Sequence, residues 1–118
     1  MTYEQTELVY KDLCSRVPYG VAYHWKGKTT EDDMPHFLNG MNEWMIFYIQ
    51  QGFIKPYLRS IDDLTDDEIN TLEYLEFRHD IEGYMEFVLS KHIDWRHLIE
   101  QGLAIRVTLK NDPYDTRK

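Results

Sequence analysis

Trp44-Met45-Ile46-Phe47-Tyr48-Ile49, then Gln50-Gln51-Gly52, then Phe53-Ile54-Lys55-Pro56-Tyr57-Leu58, is the most apolar part of the chain, and the architecture follows from its assignment. Two apolar arms around a short polar, glycine-containing connection make a β-hairpin. Pro56 has no N–H for a ladder, so the second arm belongs at a sheet edge or leaves the sheet there. In the competing assignment, residues 42–51 form a helix that Gly52 ends, because a short apolar run cannot be assigned from periodicity alone. The hairpin is the reading adopted.

Toward the N-terminus, Thr2 with Gln5 forms a capping box, and Val9, Leu13 and Val17 with Tyr10 and Cys14 recur at helical spacing, which predicts an amphipathic helix over 3–16. Pro18-Tyr19-Gly20 stops it, and the β-prone run Val21 to Trp25 forms a first strand ending at Lys26-Gly27-Lys28. Thr29 to Asn42, with Pro35, Gly40 and the acidic trio Glu31-Asp32-Asp33, reads as a loop with short local structure. Toward the C-terminus, Thr65 with Glu68 is a second capping box, its acids placed where a helix dipole is positive. Ile69, Leu72 and Leu75 or Glu76, then Ile81, Tyr84, Met85, Val88, Leu89 and His92, give the buried side of two consecutive helices, or one kinked helix, over 66–91. Asp94 is expected to cap a short helix from Trp95 to Gln101, ended by Gly102, and Leu103 to Leu109 to form a closing strand. Residues 110–118 are expected to be a mobile tail. The expected fold is α+β: an N-terminal helix, a small antiparallel sheet of three or four strands, a C-terminal helical segment and a final strand.

With 118 residues, one domain and one core are expected over 1–118. Thirteen Lys and Arg against 21 Asp and Glu leave a net charge of −8, the wrong sign for a partner of phosphate backbones. Direct nucleic-acid binding would need Lys26, Lys28, Lys55, Arg59 and Arg96 gathered on one face. No basic region precedes an apolar run, and no stretch approaches the ~18 uninterrupted apolar residues of a membrane span, so a cytoplasmic, non-membrane protein is expected. The single cysteine, Cys14, has no internal disulfide partner and falls on the apolar side of the first helix, where a small buried hydrophobe is expected rather than a reactive thiol.

Two clusters could carry metal chemistry. His79-Asp80 has the adjacency by which HD-type phosphohydrolases ligate a divalent ion, and His92, Asp94 and His97 have a spacing that could converge nitrogen and oxygen ligands. The plainer reading makes His79-Asp80 a solvated or capping pair, Asp94 an N-cap and His92 a helix end. No glycine-rich phosphate loop, serine elbow or paired CxxC is present. The acidic runs Glu31-Asp32-Asp33 and Asp62-Asp63 with Asp66-Asp67-Glu68 suit capping and solubility, or else calcium binding, nucleic-acid mimicry or docking on a basic partner. Trp25, Trp44, Tyr48, Phe53 and Tyr57 concentrate aromatics in the expected sheet, whose outward side would be a partner or dimer surface.

Three blocks also stand out together. They are Asp12-Leu13-Cys14-Ser15-Arg16-Val17-Pro18-Tyr19-Gly20-Val21, then Ile54-Lys55-Pro56-Tyr57-Leu58-Arg59-Ser60 running into Leu64-Thr65-Asp66-Asp67-Glu68, then Asp94-Trp95-Arg96-His97-Leu98-Ile99-Glu100-Gln101-Gly102-Leu103-Ala104. Their order resembles a group of small uncharacterised proteins of anaerobic gut bacteria and their phages or mobile elements. Ser60-Ile61 departs from the group's pattern, and His97 stands where the group usually has glycine. The resemblance implies a shared fold and a phage or mobile-element accessory protein, with no reaction or cofactor attached. The expected function is non-enzymatic: a small acidic interaction or regulatory protein without a cofactor, working through a protein partner or a second copy. The alternative is a metal-dependent hydrolase using His79, Asp80, His92 and Asp94.

Overall fold

Asn42 and Gly52 settle the central stretch as a helix. In the computed structural model, which describes residues 1–27 and 34–115, the Asn42 side chain accepts from the Trp44 N–H at 3.0 Å and opens helix α2, Glu43–Gln50. Gly52 takes φ 78°, its N–H bonds the Ile49 carbonyl at 2.9 Å, and the Phe53 N–H bonds that of Tyr48 at 3.0 Å. That pair of bonds is a Schellman stop, which requires the left-handed conformation glycine adopts without strain. The expected hairpin is thereby corrected: Trp44 to Ile49 buries Met45 and Ile49, four apart on one helix face, rather than alternate residues. The second arm alone is a strand, β3.

The element order is α1 (Tyr3–Arg16), a 3₁₀ turn (Val17–Tyr19), β1 (Ala22–Trp25), β2 (His36–Phe37), α2, β3 (Ile54–Leu58), a second 3₁₀ turn (Ile61–Asp63), α3 (Asp66–Phe77), α4 (Ile81–Ser90) and β4 (Ile105–Arg106). The fold is α+β. Both capping boxes form, with Thr2 and Thr65 accepting from the N–H groups of Gln5 and Glu68 at 3.0 and 3.2 Å. The acidic trio 31–33 and Lys28 lie outside the described residues.

The sheet runs β2-β1-β3-β4, and it is mixed rather than wholly antiparallel: β1 pairs antiparallel with β2 and β3, whereas β4 pairs parallel with β3. The parallel pairing follows from the connection, since two helices carry the chain back to the starting edge before β4 begins. Pro56 therefore sits in an interior strand, not at an edge. The Lys26 N–H bonds the Phe53 carbonyl at 2.8 Å, which fixes the alternation and turns Lys55 toward β1 and Pro56 away from it. The proline nitrogen faces the β4 side one residue before that ladder starts at Tyr57. No ladder bond is lost.

The helix expected over 95–101 is absent; the segment is a series of turns. His97 takes φ 59° and interrupts the helical run, while the Asp94 carboxylate accepts from the N–H groups of Leu98 at 2.8 Å and Ile99 at 3.0 Å. The closing strand shrinks to Ile105–Arg106 for the same reason: turns occupy the chain up to Gly102, and the sheet is reached late.

The main core joins α1, α2 and the sheet through Val9, Leu13, Ile49, Ile54, Leu58 and Leu98. A smaller one gathers Leu64, Val88 and Ile93 under the helical pair. The face of α1 that is buried carries Thr6, Val9, Asp12, Leu13 and Arg16, rotated from the expected stripe, so Cys14 is exposed rather than buried. Helix α3 fully buries no side chain, and Ile69, expected on its inner side, is exposed.

Of the stretch expected as a tail from Lys110, Tyr114 is tied into the sheet. Its hydroxyl accepts from the Ala22 N–H at 2.9 Å and donates to the Tyr57 carbonyl at 2.7 Å. Ala22 and Tyr57 would face each other on the next rung beyond Tyr23 and Pro56, so the phenol spans the place where the two strands part.

Candidate interaction surface

Helix α2 turns Met45 and Ile49 inward and leaves Trp44, Ile46 and Phe47 outward, with Trp44 62% exposed. Burying an aromatic or aliphatic side chain stabilises by about 1.5–3 kcal/mol, so three left in water on two turns of helix form a surface that gains from being covered. The Tyr48 ring stands edge-on to Trp25 at 4.9 Å and beside Phe47 at 5.8 Å, and Phe53 meets Trp25 at 5.5 Å. Edge-to-face contacts of this kind fix ring orientation and so hold the half-buried rings as a firm base beside the exposed ones.

Of the five aromatics singled out in the sequence, Trp25, Tyr48 and Phe53 come together, and Trp44 lies one helical turn before Tyr48. Tyr57 does not join them. It is buried and packs edge-on against His24 at 6.4 Å. The surface is a helix face with strand rings behind it, not the outer face of a sheet. Strand alternation groups 44, 46 and 48 and puts Phe47 on the opposite side, whereas the helical spacing of 44, 47 and 48 brings Phe47 to this face; Ile46 lies outside a group chosen for its aromatics. On the other flank, Ile46 borders a groove of about 220 Å³ with Tyr3, Thr6, Glu7 and Tyr10. Cys14 hydrogen-bonds Tyr10 and raises its phenol above the ordinary value.

The candidate metal ligands are dispersed. His79, His92 and His97 all take positive φ, 55°, 59° and 59°, each at a turn in the chain. His79 and His92 hold the positions that glycine fills after α2: the N–H groups of His79 and Asp80 bond Glu76 and Leu75 carbonyls at the end of α3, and those of His92 and Ile93 bond Leu89 and Val88 at the end of α4. Asp80 caps α4 through the Gly83 N–H at 2.9 Å, and the Asp94 oxygens are both engaged by backbone. His97 is exposed, 3.9 Å from Glu100. Among the described residues, no three His, Cys, Asp or Glu side chains group to hold a metal ion.

A buried polar network was not anticipated. Arg16 and Asp12, both fully buried, pair through Nε–Oδ2 at 2.8 Å and Nη2–Oδ1 at 3.2 Å, and Arg16 also donates to the Ile93 carbonyl at 2.7 Å. Arg96 approaches Asp12 at 3.3 Å and stacks over the Trp95 ring at 4.2 Å. Burial and the Arg16 charge push His92 down to about 4, so the ring is neutral at pH 7. The sequence signal was the Asp12–Arg16 spacing of four on the side of α1 that faces inward.

Two of the arginines that a nucleic-acid face would have used are engaged otherwise: Arg59 forks onto Glu68 at 2.6 and 2.7 Å, and Arg96 lies on Trp95. The fork holds the Glu68 carboxyl down to about 2. No helix among the described residues is long and apolar enough to cross a membrane. No family model, no curated protein and no solved structure matches the chain.

Proposed function

We propose that this chain is a non-enzymatic, acidic interaction protein of phage or mobile-element type that acts in the cytoplasm by surface contact with a protein. The exposed face of α2, with Trp44 and Phe47 beside the ring cluster, carries this reading. Aromatic anchors on a firm support are the usual energetic centre of a protein interface. The net charge of −8 favours a protein over a nucleic acid as the thing touched. The phage or mobile-element part rests on the three sequence blocks alone.

Photo-crosslinking tests it. A benzophenone side chain placed at position 44 should give a discrete adduct in host extract, while the same group at Leu109, which is 93% exposed, should not. An adduct of twice 14.3 kDa identifies a second copy, and any other mass identifies a different protein. No adduct at position 44, or the same adducts from both positions, overturns the proposal.

A further inference from the structure

The charge of the chain is not spread over it. Residues 62–86, which run from the 3₁₀ turn before α3 into the second turn of α4, hold ten acidic side chains against one basic, Arg78, while the remainder holds eleven acids against twelve Lys and Arg. Two of the ten are neutralised within the molecule, Glu68 by Arg59 and Asp63 by Arg106. The same hairpin exposes apolar side chains near its turn: Phe77 is 82% and Ile81 78% exposed, with Tyr74, one helical turn before Phe77, at 57%. Between the helix ends, Leu75, Ile81 and Tyr84, rimmed by Glu76, His79 and Asp80, line an open cavity of about 280 Å³. Solubility explains the acids. It does not explain an isoleucine held in water on the wall of an apolar hollow, nor a phenylalanine left in water at the end of the same helix pair.

We infer that the α3–α4 hairpin is the docking surface for a lysine- and arginine-rich protein segment carrying one large apolar side chain, which enters the cavity between Leu75, Ile81 and Tyr84 while its cationic neighbours meet Glu76 and Asp80. Charge selects the occupant. A second copy would bring an equally acidic hairpin, and nucleic acid or an anionic bilayer would be repelled, whereas a basic segment is both attracted and oriented. The cavity has room for a single leucine- to tryptophan-sized anchor, so a short segment suffices. The inference rests on the interaction reading above and gives it a second surface and a partner chemistry.

Fluorescence anisotropy with three labelled peptides on the full chain tests it. The first is rich in Lys and Arg with a central Trp; in the second that Trp is Ser; in the third the cations are Glu. The first should bind at least tenfold more tightly than the second, the third not at all, and added salt should weaken the first. Phe77→Ser with Ile81→Ser should weaken the first peptide tenfold or more with the thermal midpoint kept, since both side chains are solvent-facing, whereas Trp44→Ser should leave its binding unchanged. Equal binding of the Trp and Ser peptides, indifference to the Phe77 and Ile81 changes, or no binding at all overturns the inference. A chain that crosslinks at position 44 yet ignores the basic peptide loses this inference alone. The converse result removes the α2 surface and leaves this one standing.

Discussion

The His92 imidazole lies flat on the Tyr114 phenol, ring centroids 3.8 Å apart and planes 7° from parallel. One ring belongs to the residue that ends α4, the other to the residue that bridges β1 and β3 through its hydroxyl. The stack therefore couples the helical pair to the sheet at a point where each is locally incomplete.

Tyr114→Phe keeps the stack but leaves the Ala22 N–H and the Tyr57 carbonyl without the bridging hydroxyl. Unpaired buried backbone groups cost about 1–3 kcal/mol, so the variant should lose about 2 kcal/mol in urea unfolding. Removing residues 110–118 should cost more, because the ring goes as well. Unchanged midpoints for both would show that the bridge contributes nothing.

Acid should weaken the fold in two steps. His92 falls from an ordinary 6.5 to about 4, so the unfolded chain binds more protons between those values; its contribution is complete above pH 6.5, declines as pH drops, and is gone below about 4. The shift sets an upper limit of about 3 kcal/mol, reduced by the water that reaches the partly exposed ring and screens its charge. Glu68, held at about 2 by its bonds to Arg59, acts in the next window, from about 4.5 downward. His92→Asn, which tolerates the left-handed backbone, should flatten the thermal midpoint between pH 7 and 4 and leave the lower step intact. A slope between pH 7 and 4 equal to that of the parent would assign it elsewhere.

Asp12→Ala strands the buried Arg16 guanidinium and should cost about 3–5 kcal/mol, while Asp12→Leu with Arg16→Met should cost far less, since replacing both charges avoids an uncompensated one. A double variant as damaged as the single would show that packing, rather than charge, governs the site.

Histidines in left-handed backbone should yield to glycine. His79→Gly and His97→Gly remove side chains exposed to water and relieve a conformation that costs other residues about 1 kcal/mol, so each should raise the urea midpoint. His92→Gly should lower it, because the Tyr114 stack goes with the ring. Three shifts of the same sign would contradict this division.

Local signals in the sequence carried most of the helical architecture. Thr2 with Gln5 and Thr65 with Glu68 fix helix starts by contacts three residues long, and they stand as read. Gly52 was legible as a helix stop, but a six-residue apolar run satisfies a strand equally well until Met45 and Ile49 are seen buried together. Features set by tertiary contact were hidden. Which side of Pro56 meets a neighbour depends on a strand some fifty residues later, and the burial of Asp12 and Arg16 depends on Ile93 arriving above them. The aromatic group was found as composition, yet Tyr57 separates from it because strand and helix divide the five residues between different faces.

The Tyr114 bridge also sets an order in time. During synthesis, α1, β1, α2 and β3 leave the ribosome first and can pair through their own ladder, but the rung between Ala22 and Tyr57 waits for a hydroxyl made 92 positions after Ala22. Even a chain that has already docked β4 on β3 holds its sheet with one rung open until Tyr114 arrives. Arrival of Tyr114, rather than collapse of the core, closes it.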